Sequence, residues 1–170
     1  LELGINSSVF RARGGGQTTA ISGDGASMSI ALGWVIAPNL VLYGKLMDAG
    51  ASDPDVAGPG TTTFTRGDSD LYGVGPGLTY YLPGNFFVSA TAMAARVSLS
   101  DSNDHTILSS GWGVAGDAVV GKEWWTSDNW GLGVSFQGLL GELGGHAEAN
   151  GVTPTWSASA WSLLFSATYN

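Results

Sequence analysis

The stretch Gly111–Leu143, GWGVAGDAVVGKEWWTSDNWGLGVSFQGLLGEL, decides the fold. It reads as two strands joined by the turn Thr126-Ser127-Asp128-Asn129. On the first strand Trp112, Val114, Ala118, Val120 and Trp124 share one face, and Asp117 and Glu123 sit on the other. On the second, Trp130, Leu132, Val134, Phe136 and Leu140 oppose Gly131, Gly133, Ser135, Gln137 and Gly141. A period of two with unlike faces is the mark of a strand. One face is an apolar ribbon ending in tryptophans beside the turn; the other is small or charged. In a soluble sandwich the ribbon would meet a core. In a membrane barrel it meets lipid, and the small face lines a narrow polar lumen.

Composition separates these readings. Hydrophobic residues make up 44% of the 170-residue chain and charged residues only 12%, about half the soluble share of roughly a quarter. That is too little charge to cover a soluble domain. Yet no apolar run approaches the ~18 residues a membrane helix needs. Apolar, charge-poor and helix-free is the composition of a membrane barrel. The length suits one domain, residues 1–170, holding about eight strands. A net charge of −8 argues against nucleic acid as a partner. The absence of cysteine excludes disulfides and thiolate metal sites. No signal-peptide pattern precedes Leu1, so a secreted protein is expected here in mature or trimmed form.

The rest of the chain repeats the pattern. Leu1–Phe10 alternates, and Arg11–Gly25, rich in Gly, Ser and Thr, reads as a loop. Met28, Ile30, Leu32, Trp34 and Ile36 mark a second strand, followed by the turn Ala37-Pro38-Asn39. Leu40–Met47 is the third strand, and Asp48–Ser69 a long acidic loop. Tyr72, Val74, Leu78, Tyr80 and Leu82 mark the fourth, with Pro76 awkwardly inside it. After Pro83-Gly84-Asn85, the strand Phe86–Leu99 fits either facing; Arg96 inward would turn Phe87, Met93, Val97 and Leu99 outward. Asp101–Ser110 and Glu142–Pro154 read as further loops, and Thr155–Tyr169 is the last strand. The reading predicts a closed antiparallel up-and-down barrel with alternating long and short connections and both termini at the short-turn end. Trp34, Tyr80, Tyr81, Phe86, Phe87, Trp124, Trp125, Trp130 and Tyr169 cluster near the short turns or the C-terminus. An aromatic girdle is expected there, at headgroup level. A thinner ring of Tyr72, Trp112 and Trp156 is expected at the loop end.

With its four hairpins, its short Pro/Asn/Gly turns and an ending Trp161-Ser162-Leu163-Leu164-Phe165-Ser166-Ala167-Thr168-Tyr169, the chain resembles the small eight-stranded outer-membrane barrels of Gram-negative bacteria. That group includes the OmpA-type and OmpX-type proteins. The resemblance spans nearly the whole chain and lies in architecture; no motif names a subfamily. It implies a bacterial outer-membrane location and a last strand read by the barrel-assembly machinery. Family members usually finish on an aromatic residue, whereas here Asn170 follows Tyr169.

The candidate interior residues are Glu2, Lys45, Arg96, Asp117 and Glu123, with Asn6 and Gln137 as polar company. Opposite charges in a narrow lumen should pair, because an isolated buried charge is costly. Arg96 with Asp117 is the expected pair. A polar plug outweighs an ion gate, since eight strands leave little room for a channel. The aspartates Asp48, Asp53, Asp55, Asp68 and Asp70 match no calcium-loop spacing. His105 and His146 have no cysteine partners, so no metal and no cofactor is expected. Arg11, Arg13 and Arg66 sit at the loop end, where lipopolysaccharide phosphates would lie. No Gly-x-Ser-x-Gly elbow or paired-carboxylate spacing points to an enzyme. The expected role is structural or interactive, through external loops and with lipid, lipopolysaccharide or envelope proteins as partners. The alternatives are a narrow pore for small or apolar solutes and a soluble lipid-binding barrel.

Overall fold

Alternation along the chain builds eight long strands: β1 Glu2–Gly14, β2 Gln17–Ala37, β3 Leu40–Ser52, β4 Gly67–Leu82, β5 Phe86–Asp101, β6 Gly113–Trp125, β7 Trp130–Leu143 and β8 Thr155–Tyr169. The computed structural model describes residues 1–58, 61–64, 67–101, 103, 105–145 and 153–169. Arg66, His146 and Asn170 fall outside these. Each strand pairs antiparallel with its sequence neighbours, and β1 pairs with both β2 and β8, so the sheet closes on itself. Among the described residues there is no helix.

Three short turns lie at one end. Asn39, Gly84 and Asn85 supply the positive φ that such turns require. The other end differs from the sequence reading. Arg11–Gly25 is not a loop: β1 and β2 continue in register until Gly14 faces Gln17, and Gly15-Gly16 close a two-residue turn with φ of 57° and 75°. Both values are positive, as a type I′ turn demands. The acidic segment is likewise ordered, β3 running to Ser52 and a hairpin of Asp55–Gly58 and Thr61–Phe64 docking on β2. A short strand, Thr106–Ser109, pairs with the end of β5.

The wall changes polarity along its axis. In the turn half, apolar side chains point out: Leu32, Trp34, Val114, Val120, Leu132, Phe136 and Phe165 are all more than half exposed or nearly so. Polar groups there point in, including Asn6, Ser29, Lys45, Asp117, Ser135, Gln137 and Ser162. In the loop half the order reverses. Phe10, Ile21, Met47, Leu71, Met93, Val97, Leu99, Leu143 and Trp156 fill the interior as one apolar cluster. Arg11, Arg13, Asp24, Asp48, Asp68 and Asp70, at positions of outward parity, leave the outside polar. The lower storey is built for hydrocarbon and the upper storey for water. β2, at 21 residues, crosses both; at normal rise and tilt it spans roughly 50 Å, twice an apolar band of about 25 Å.

β5 faces the opposite way from the placement that put Arg96 inside. Met93, Ala95, Val97 and Leu99 are buried inside, because the upper interior selects large apolar groups over a single charge. Arg96 therefore points outward, its guanidinium 6.0 Å from the Trp112 ring centroid. Trp156, expected in an outer ring, is instead 2% exposed within the apolar cluster. Pro76 sits on the outer face, and the β4–β5 ladder skips Gly75 and Pro76. A proline without an N–H is tolerated there because its neighbours carry the register.

Candidate functional site

The interior of the lower storey is where charge gathers, and packing between β3 and β4 positions it. Tyr43, Lys45 and Met47 face inward from β3, and their partners across the ladder are Gly77, Gly75 and Gly73. Three long side chains thus lie over three residues with none. A β-carbon at Gly77 would collide with the Tyr43 ring. Gly77→Val should displace that ring and cost about 1–3 kcal/mol, read by urea unfolding in lipid.

From that position Lys45 reaches across the barrel. Its Nζ lies 2.8 Å from Asp117 Oδ2 and 3.4 Å from Glu2 Oε2. Gln137 Nε2 donates to the same Asp117 oxygen at 2.5 Å, and Ser29 Oγ donates to Glu2. Tyr43 OH and Thr91 Oγ1 share a hydrogen bond of 2.8 Å beside them. Five strands therefore meet in one network, β1, β2, β3, β6 and β7, with the Tyr43–Thr91 pair of β3 and β5 beside it. Lys45 is 4% exposed and the Asp117 side chain fully buried. The ammonium is the only interior cation among the described residues. Asp117 was expected to pair with Arg96; it pairs with Lys45, because β6 sets Asp117 opposite Thr91 and Arg96 points away.

Glu123 lies nearer the turns, 3% exposed. It accepts hydrogen bonds from Tyr81 OH at 3.1 Å and Thr168 Oγ1 at 2.7 Å. Sequence reasoning put Tyr81 and Phe87 in the girdle. Tyr81 instead turns toward Glu123, and Phe87 is buried against Gly121. The available signal was the pairing of a large residue with a glycine across the ladder, Phe87 with Gly121.

Outside, the aromatic residues sit at the two ends of the apolar belt. Trp34, Tyr80, Trp124, Trp130 and Tyr169 are exposed at the turn end, and the rings of Trp130 and Tyr169 meet edge to face at 5.2 Å. Trp125 has inward parity and folds over Gly131 at the mouth. Lys122 lies among the same aromatics, 4.4 Å from the centroid of Phe86 and 5.7 Å from that of Trp124. Arg96 beside Trp112 marks the other border. From the level of Trp112 to that of Lys122 the wall rises roughly 25 Å, the height of an apolar membrane band. Each cation lies beside an aromatic ring at one border of the belt.

The loop end offers less. Asp48, Asp68 and Asp70 take outward positions on β3 and β4, and among the described residues no three acidic or histidine side chains gather to hold a metal. His105 Nδ1 lies 3.6 Å from Asp101 Oδ2 in an exposed loop. The backbone N–H groups of His105 and Asn103 donate to Asp101 and hold its carboxyl below the usual carboxylate range.

No family model matches the sequence, and no curated protein matches it. Solved structures do resemble the barrel. Neisserial surface protein A is similar with a TM-score of 0.53 and 15% identity, covering 96% of this chain and 94% of that one. The outer membrane protein AlkL in lipid bilayers gives 0.54 and 16%, covering 99% and 88%. The outer membrane protein OprG from Pseudomonas aeruginosa gives 0.50 and 11%, covering 99% and 94%. The chain has the fold of the small eight-stranded outer-membrane barrels.

Proposed function

We propose that this chain is an integral barrel of the bacterial outer membrane with a plugged interior. Its work is done by the water-exposed upper storey, which engages lipopolysaccharide or other envelope partners. The observation that carries the reading is the reversal of polarity along the wall. A belt of exposed Leu, Val, Phe and Trp is stable only against hydrocarbon, which disfavours a soluble lipid-binding barrel. Above the belt a polar exterior surrounds a buried apolar core. That core is a built domain on the outside of the membrane, and building it is wasted effort for a simple pore.

Two barriers stand in series within the lumen. The lower is the Lys45–Asp117–Glu2–Gln137 network, and the upper is the Phe10, Ile21, Leu143 and Trp156 cluster. Both support a filled barrel over a conduit. The interior carboxylates bond to an ammonium, an amide and hydroxyls, an arrangement suited to structure rather than to acid–base turnover. Arg11 and Arg13 on the exposed end of β1, with Arg96 at the rim, supply guanidinium forks for lipopolysaccharide phosphates.

The test is conductance. Purified protein inserted in planar bilayers should give no steady unitary openings. Regular single-channel steps that survive changes of protein batch would favour the pore reading instead.

A further inference from the structure

The outer wall is not evenly covered within the belt. Across β6, β7, β8 and β1 the outward ladder positions Gly116, Ala118, Gly138, Ser159 and Ser7 are all small. Together they open a groove of about 550 Å³, walled by Trp161 and Leu140, a size ordinary for a ligand site. It runs from mid-belt, at Ala118, toward the loop end. Its floor is strand backbone. A β-carbon built at Gly138 meets nothing within 4 Å, and one at Gly116 meets only the Thr91 carbonyl, at 3.3 Å. Trp161 is braced by stacking on Phe136, their ring centroids 6.3 Å apart. Ser159 Oγ donates back to the Val9 carbonyl at 3.4 Å, so this wall presents carbon rather than a free hydroxyl.

At the loop-side end of the groove the same face of β1 changes character. Ser7 and Val9 border the groove, and the next outward residues are Arg11 and Arg13, both exposed. Outward residues on one strand recur every ~7 Å, so two guanidinium groups stand just beyond the apolar surface. Their ladder neighbours are uncharged: Ser157 and Ala20 beside Arg11, Thr155 and Thr18 beside Arg13. Among the described residues neither arginine forms an ion pair. The acidic groups of this face keep their distance. Glu142 is two strands from Arg11, and Asp24 is opposite Ser7.

We propose that the groove seats one acyl chain of a lipopolysaccharide molecule, with a lipid A phosphate held by Arg11 and Arg13. Such seating rests on the outer-membrane placement proposed above, in which the upper storey lies outside and meets lipopolysaccharide. An occupant at this depth must be apolar, and the two free guanidinium groups ask for an anion at its head. A phosphorylated lipid meets both demands in one molecule. Long connections face outward in bacterial barrels, so the chain comes from the outer leaflet, where lipopolysaccharide is. Arg takes phosphate through paired N–H donors. Between apolar surfaces in a bilayer there is no hydrophobic gain, so the chain is held by close packing along the glycine floor. A second copy of the barrel fits less well. Across a two-fold axis normal to the membrane, the arginine pairs of both copies would meet at the same height.

The experiment is native mass spectrometry of the full chain in uncharged detergent, titrated with rough-form lipopolysaccharide or with phosphatidylglycerol. The wild type should retain one lipopolysaccharide per barrel. Gly138→Leu fills the groove from an unobstructed position. It should unfold in urea as the wild type does, yet hold lipopolysaccharide about tenfold more weakly. Ser7→Leu, on the far side of the groove, repeats the test from a second strand. Arg11→Gln combined with Arg13→Gln should weaken retention by a similar factor and flatten its salt dependence. Undiminished lipopolysaccharide binding in both groove-filling variants would overturn the groove and leave the lipopolysaccharide-binding upper storey intact. No binding by the wild type would overturn both. Tighter retention of phosphatidylglycerol, or a wild-type dimer that Gly138→Leu makes monomeric, would overturn the occupant.

Discussion

Lys45→Met should destabilise the barrel by about 3–5 kcal/mol, the usual cost of removing one partner from a buried ion pair. Lys45 is the single ammonium among the interior carboxylates, so its loss strands Asp117 and Glu2 together. Asp117 has least to fall back on. Its side chain is fully buried, its Oδ1 has no hydrogen-bond partner, and Gln137 would remain its one donor. Asp117→Leu should cost less, because Lys45 keeps Glu2 at 3.4 Å. The double variant should be more stable than the sum of the single losses implies, since it removes the stranded charge along with the pair. Urea unfolding in lipid reads all three. Additive losses would mean that the two groups do not sense each other.

The second large effect is on the outer face and depends on depth. Ala118 points outward midway between the levels of Trp112 and Lys122, opposite Gly138 and Ala90. Ala118→Arg should cost about 2–4 kcal/mol, the penalty for a charge at the bilayer midplane. Val134 is also outward, but its ladder partner is Lys122, at the border of the belt. Val134→Arg should therefore cost no more than about 1 kcal/mol. A reversed order, or equal costs, would displace the membrane along the barrel axis.

How much of this was legible in the sequence depends on which face carried contrast. Strands β6 and β7 were readable residue by residue, because Val120, Leu132 and Phe136 alternate with Glu123, Gly133 and Gln137. β5 was not. Ala90, Ala92 and Ala94 outside and Ala95 inside are too alike to set a register, so the one charge, Arg96, was given the inward place that charges take elsewhere. The rule that failed was the assumption of a single polarity for the whole wall. Arg96 stands at the border where polarity reverses, and there an inward place is the apolar one. The same assumption hid the upper part of β1 and β2. Ile21 faces inward in the stretch Arg11–Gly25, whose Gly, Ser and Thr content suggested a loop. Of the interior site, Glu2, Lys45, Asp117 and Glu123 were chosen from alternation alone. Their partners were not visible that way, because Lys45 and Asp117 meet across the lumen, on strands that are not neighbours.

The reversal of polarity is most directly tested along β2, which at 21 residues is the longest of the strands that pass through both storeys. Single spin labels on a cysteine at Ile21, Asp24, Ile30 and Leu32, in the protein reconstituted into bilayers, report collisions with oxygen and with a water-soluble nickel chelate. Ile30 and Leu32 should favour oxygen, Asp24 the nickel chelate, and Ile21, packed in the upper interior, should meet neither. Nickel access at Ile30 and Leu32 equal to that at Asp24, or free access at Ile21, would contradict the account.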